Sequence, residues 1–170
     1  PSGFDPNWTA EQTAFAQSLV DRTTAAMPQF ANPAILPLMG YAYIFDGQQP
    51  GTYQHWIHLS RISDSHTLDP QFPESLVFRN TGDGSVLEAA MYMLGLGADL
   101  NHLPADSAFL PGWHIHTNLC FDNSFRLVGV TVNGACERGH ILPTPPMLHV
   151  WAVDTVCGRF AGVDENGLQC

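Results

Sequence analysis

Gly112-Trp113-His114-Ile115-His116-Thr117-Asn118-Leu119-Cys120 holds the only His-x-His in the sequence. Read as a strand over residues 113–121, its side chains alternate. His114 and His116 then share one face with Gly112 and Asn118, and Trp113, Ile115 and Leu119 share the other. Two imidazoles fixed side by side on a strand are half of a metal site. An exposed His pair on a solvated face explains this stretch alone equally well, so the other histidines decide the reading.

Residues 53–59 (Tyr-Gln-His-Trp-Ile-His-Leu) also read as a strand, with His55 facing the same way as Tyr53, Ile57 and Leu59. His58 lies on the opposite, wetter face with Gln54, Trp56 and Ser60. Residues 147–153 form a further strong strand, in which His149 shares its face with Met147, Trp151 and Val153. A lone inward His is usually a hydrogen-bonded core residue. Three strands that each present histidine inward point instead to convergence of His55, His114, His116 and His149 on one metal ion. Imidazole suits copper and zinc, among other ions. Four closed ligands make a structural site, and an open position permits catalysis. Glu88 is the candidate catalytic carboxylate: it stands among Leu87, Ala89 and Ala90, where a carboxylate requires a metal, a histidine partner, a role as base or a solvent-facing position. His66, His102 and His140 sit in turn-rich stretches and read as exposed, and Asp64 or Glu74 is a candidate partner for Arg61 or Arg79.

Other chemistries find little support. The 170 residues carry a net charge of −10, with six arginines and no lysine, which disfavours nucleic acid and anionic membrane surfaces as partners. No apolar run approaches the roughly 18 residues of a membrane span, so no insertion is expected of these residues. The chain contains no nucleophile elbow, P-loop, dinucleotide fingerprint, His-Glu-x-x-His or EF-hand loop. Cys120, Cys136, Cys157 and Cys170 lack the C-x-x-C spacing of a zinc ribbon. Two disulfides and an oxidising compartment are expected, with Cys120–Cys136 and Cys157–Cys170 preferred because each closes a short loop; buried free thiols are the alternative. An opening at Pro1 is what removal of a secretory signal, or trimming of a longer chain, would leave, and Asn7-Trp8-Thr9 is a glycosylation sequon.

Along the chain, residues 1–8 read as irregular. Thr9 and Gln12 form a capping box for a helix near residues 10–26, and Asn32-Pro33 starts a short second helix that Pro37 weakens. From residue 41 the pattern becomes strands and turns. Residues 41–45 and 126–132 read as strands, and 75–80 and 85–94 form a hairpin about Thr81-Gly82-Asp83-Gly84, which outweighs the helical propensity of the second arm. Residues 154–170 read as a loop-like tail. One domain is expected over 1–170, with a helical segment at 1–40 and a β-rich metal-site core at 41–170. Its class is α+β: a mainly antiparallel sheet or small barrel with N-terminal helices packed on it.

The blocks His55-Trp56, Leu68-Asp-Pro-x-x-Pro-Glu-Ser-Leu-Val-Phe78, Trp113-His-Ile-His-x-Asn-Leu-Cys-Phe121, Pro146-Met-Leu-His-Val-Trp151 and Cys157-Gly-x-Phe-Ala-Gly162 resemble an uncharacterised family of secreted or membrane-anchored bacterial proteins. That resemblance implies the same four histidines and an extracytoplasmic location, but no reaction. Gly112, His114, His116 and His149 also resemble, more loosely, the metal-binding histidines of cupins. The Glu that a cupin carries just past its His-x-His is absent here, where Asn118 and Asp122 stand. The leading expectation is an extracytoplasmic protein that binds one copper or zinc ion for metal handling or metal-dependent catalysis. The alternative is a disulfide-stabilised binding or structural domain without metal, with a protein partner that the sequence does not name.

Overall fold

The computed structural model describes residues 4–164 and 167–170; residues 1–3 of the expected irregular N-terminus, and 165–166 of the expected tail, lie outside it. The protein is α+β. Helix α1 (Ala10–Ala26) starts where expected: Thr9 Oγ1 accepts the Gln12 N–H, and the Gln12 side chain accepts the Thr9 N–H. Its inward residues Ala16, Leu19, Val20, Thr23 and Ala26 follow helical spacing. The second helix is a 3-10 helix over Pro33–Met39. Pro37 has no N–H to give to an i−4 carbonyl, and Gly40 ends the segment in the left-handed conformation.

The strands are β1 (Ala42–Tyr43), β2 (Tyr53–Ile57), β3 (Ser75–Asn80), β4 (Ser85–Met93), β5 (Leu119–Phe121), β6 (Leu127–Val130), β7 (His140–Ile141), β8 (Met147–Trp151), β9 (Gly162–Asp164) and β10 (Gly167–Gln169). A five-stranded antiparallel sheet runs β1-β2-β3-β4-β8, a three-stranded sheet runs β6-β5-β7, and β9 pairs with β10. The sheets are open rather than closed into a barrel.

Alternation along β4 and β8 divides the core. Ala90, Tyr92, Leu148 and Val150 pack against Ala16, Leu19 and Val20 of α1, and the Thr23 and Tyr92 hydroxyls meet at 2.7 Å. On the opposite face Ala89, Met91, Met93, Met147 and Trp151 join Val77 of β3 and Val163 of β9. Leu76 and Phe78 of β3 pack with Phe30, Leu36 and Tyr41 near the 3-10 helix. The disulfides are Cys120–Cys136, which anchors β5, and Cys157–Cys170, which ties the end of the chain to the loop after β8.

Two expectations are corrected. Residues 113–121 do not form one strand: His114 makes an isolated bridge to Met147, and a regular strand begins only at Leu119. The partner segment explains the break. Met147 N–H donates to His114 O at 2.9 Å and Thr144 N–H to His116 O at 3.0 Å, but Pro145 and Pro146 between them have no N–H to extend the ladder. The tail is not all loop, because Gly162–Asp164 pairs with Gly167–Gln169. The alternating Gly-Val-Asp and Gly-Leu-Gln stretches are too short to stand out as strands in the sequence.

Candidate functional site

β2 and β8 lie three strand spacings apart, about 14 Å in a flat sheet, which is more than two imidazoles can bridge. Yet His55 Nε2 and His149 Nε2 are 3.3 Å apart. The sheet must therefore curl toward its Met-lined face. In register across the sheet, the buried Val77 and Ala89 stand between His55 and Trp151, and Ser75 and Met91 stand between Ile57 and His149. From the bridge segment, His114 stacks on His149 with ring centroids 5.3 Å apart, and His116 lies 5.1 Å from His114. The structure thus gathers all four candidate histidines into one contiguous cluster.

The Asp46 carboxylate orients His55: Oδ2 takes the Nδ1–H at 2.5 Å and Oδ1 takes the His55 backbone N–H at 2.8 Å. Asp46 follows Phe45, whose φ of 68° is left-handed, a costly conformation for a bulky residue. Phe45 is held there by stacking on Tyr43 and by the Arg126 guanidinium, 4.4 Å from its ring centroid. His114 Nδ1–H donates to the Gly112 carbonyl at 2.6 Å. Gly112 has a φ of 90°, and a Cβ there would sit 2.1 Å from Phe160 O, so only glycine permits this approach.

These contacts fix the tautomers. A carbonyl or carboxylate accepts only a proton, so His55 and His114 carry theirs on Nδ1 and present lone pairs from Nε2. His149 Nε2 is then the donor toward His55, and its Nδ1 is a lone pair. Both His114 Nε2 and His149 Nδ1 are buried without a partner. Burial lowers the pKa of His114, His116 and His149, to about 4 for His116 and well below the usual imidazole value for His149. Neighbouring imidazoles add to the effect, because a protonated neighbour disfavours a second charge. The neutral ring is the form that ligates metals.

Among the described residues no group of three or more His, Cys, Asp or Glu side chains is disposed to hold a metal ion. The separation of the first pair nevertheless fits one. Two nitrogens bound at 2.0–2.1 Å in a tetrahedron lie about 3.3–3.4 Å apart. His55, backed by Asp46, has the carboxylate–histidine arrangement common behind metal ligands.

Glu88 stands apart from the cluster. The register of β3 against β4 shifts at Val77/Phe78, leaving Glu88 without a partner on β3, and its Oε1 takes Arg79 Nε–H at 2.6 Å. This ion pair explains a carboxylate within the apolar strand, and Arg79 finds Glu88 rather than Asp64 or Glu74. Arg61 donates to the Tyr41 hydroxyl at 2.7 Å. His102 and His140 are exposed, as expected, whereas His66 stacks on Phe72. His58 is half-buried edge-on to Tyr41.

Asp46 lies nine residues from His55 in a loop, and no local pattern in the sequence distinguishes it. His55, His116, His149 and Asp46 border a cavity of about 330 Å³ between the two larger sheets, which no local sequence pattern announces. No family model, curated protein or solved structure matches the chain.

Proposed function

We propose that this chain is an extracytoplasmic metalloprotein that holds one copper or zinc ion through His55, His149, His114 and His116. The observation that carries the reading is the 3.3 Å separation of His55 Nε2 and His149 Nε2, beside the unpartnered nitrogens of His114 and His149. His55 Nε2 and His149 Nε2 stand close to their bound spacing, with the His149 proton moving to its unpartnered Nδ1 on binding, and shifts of the His114 and His116 side chains would bring in the others. An all-imidazole set suits either ion. The bound ion would supply Lewis-acid or redox chemistry, for metal handling or catalysis, while Asp46 holds the His55 proton on Nδ1 and keeps Nε2 available. The two disulfides, with no free cysteine among the described residues, support an oxidising compartment.

The test is elemental analysis of protein purified without added metal or an affinity tag, beside the His114→Ala/His116→Ala variant. About one equivalent of copper or zinc per chain, lost in the variant, is expected. No metal in either protein, even after reconstitution, refutes the reading. The second reading is a disulfide-stabilised binding domain whose imidazoles form a hydrogen-bonded network. The absence of a preassembled donor trio among the described residues favours it, and it predicts that null result.

A further inference from the structure

The cavity beside the histidines is much larger than an ion requires. At about 330 Å³ it lies at the lower end of the range of small-molecule sites. Most of its wall is apolar, with Met91 and Met93 from β4, Met147 from β8, and Leu119, Leu127 and Val130 from the three-stranded sheet. Methionine thioethers are adaptable and tolerate varied apolar shapes. Asp46, His55 and His149 are joined by hydrogen bonds into one polar patch within this wall.

The charge and donor pattern narrows the occupant. Among the described residues no Arg or Lys borders the cavity, whereas Asp46 and Asp164 do. An anion would therefore lose its hydration without a compensating cation. A cation would meet alkyl and thioether walls, with the Asp46 carboxylate already accepting two N–H groups of His55 and Asp164 accepting the Gln169 side-chain N–H. His149, which borders the cavity, keeps an Nδ1 lone pair that has no partner and requires a donor. These features fit a neutral molecule with an apolar body and one hydroxyl.

We infer that the cavity is a binding site for a small uncharged apolar alcohol or phenol, its hydroxyl directed at the His55–His149 pair. Only the orientation in metal-loaded protein rests on the proposed function, since there the hydroxyl oxygen would meet the ion. The cavity itself is a property of the metal-free chain.

Metal-free and metal-loaded protein should be titrated with p-cresol and with p-toluate, similar rings that are neutral and anionic near neutral pH, by calorimetry and ligand-observed NMR. Saturable p-cresol binding, at least about tenfold tighter than p-toluate, is expected. Val130→Phe should abolish it by filling the cavity. Because that variant can fail to fold, contacts between the cresol ring and the Met91 and Met93 methyls should be sought in the unsubstituted protein by nuclear Overhauser measurement. Absence of saturable cresol binding, equal affinity for p-toluate, or absence of those methyl contacts overturns the inference. Metal uptake without cresol binding defeats this proposal alone, and cresol binding without metal uptake defeats only the metal reading.

Discussion

Asp46→Asn isolates the residue that presets the cluster. In the unsubstituted protein the carboxylate accepts two protons, from His55 Nδ1–H and from the His55 backbone N–H. An amide has only one oxygen. If that oxygen keeps the backbone N–H, the NH2 group faces Nδ1, and the imidazole must move its proton to Nε2 to accept. The lone pair then leaves the side of the ring that faces His149. Loss of such a carboxylate partner typically lowers metal affinity about 10–100-fold, or roughly 1.4–2.7 kcal/mol. Affinity would be read by competition with a chromophoric chelator. Nitrogen-15 shifts of the imidazole in metal-free protein would report the tautomer, which should change from the Nδ1–H to the Nε2–H form. Unchanged affinity together with an unchanged His55 tautomer would refute the assignment of Asp46 as the positioning residue.

Glu74→Gln should change how stability depends on pH. Burial, opposed by the Met93 N–H bond to its carboxylate, pushes the Glu74 carboxyl up to about 7 from 4.5. A folded value above the unfolded one means stability that is fully present below about pH 4.5 and declines as pH rises through 7. The unsubstituted protein should lose on the order of 3 kcal/mol over that window relative to the Gln variant, and parallel urea-denaturation curves would count against this. Replacing Cys157 and Cys170 by Ser opens a loop of sequence separation 13. It should cost on the order of 3 kcal/mol, so an unchanged unfolding midpoint would show that this bridge contributes nothing. Ala89→Leu adds bulk to a fully buried position that stands in register between Val77 and Trp151, in the row that begins at His55. It should destabilise by about 1–3 kcal/mol and reduce metal uptake, and full uptake would show that the cluster tolerates a less curled sheet.

Alternation was the most informative feature of the sequence because it depends only on the strand period. It set His55 apart from His58 and His149 apart from Leu148, and it required no knowledge of partners. The Thr81-Gly82-Asp83-Gly84 turn likewise outweighed the helical propensity of residues 86–94, because β4 finds β3 on one side and β8 on the other. Features set by a partner strand were not legible. Nothing within residues 113–121 announces that Pro145 and Pro146 will interrupt the opposite ladder. Nothing within residues 85–93 announces that a register shift will set Glu88 out of the β3–β4 pairing and against Arg79. The bond from Asp46 to His55 depends on the path of a loop through a left-handed Phe45, which its sequence does not favour.

The same distinction explains how the histidine cluster arises. Face alternation places His55 and His149 on one side of a sheet, but a flat sheet would hold them too far apart to interact. Their contact requires curvature, and curvature depends on what lies between the strands. Val77 and Ala89 separate His55 from Trp151, Ser75 and Met91 separate Ile57 from His149, and the packing of α1 against Ala90, Tyr92, Leu148 and Val150 supports the opposite face. The cluster therefore depends on the pairing and curvature of the sheet as much as on the histidines themselves.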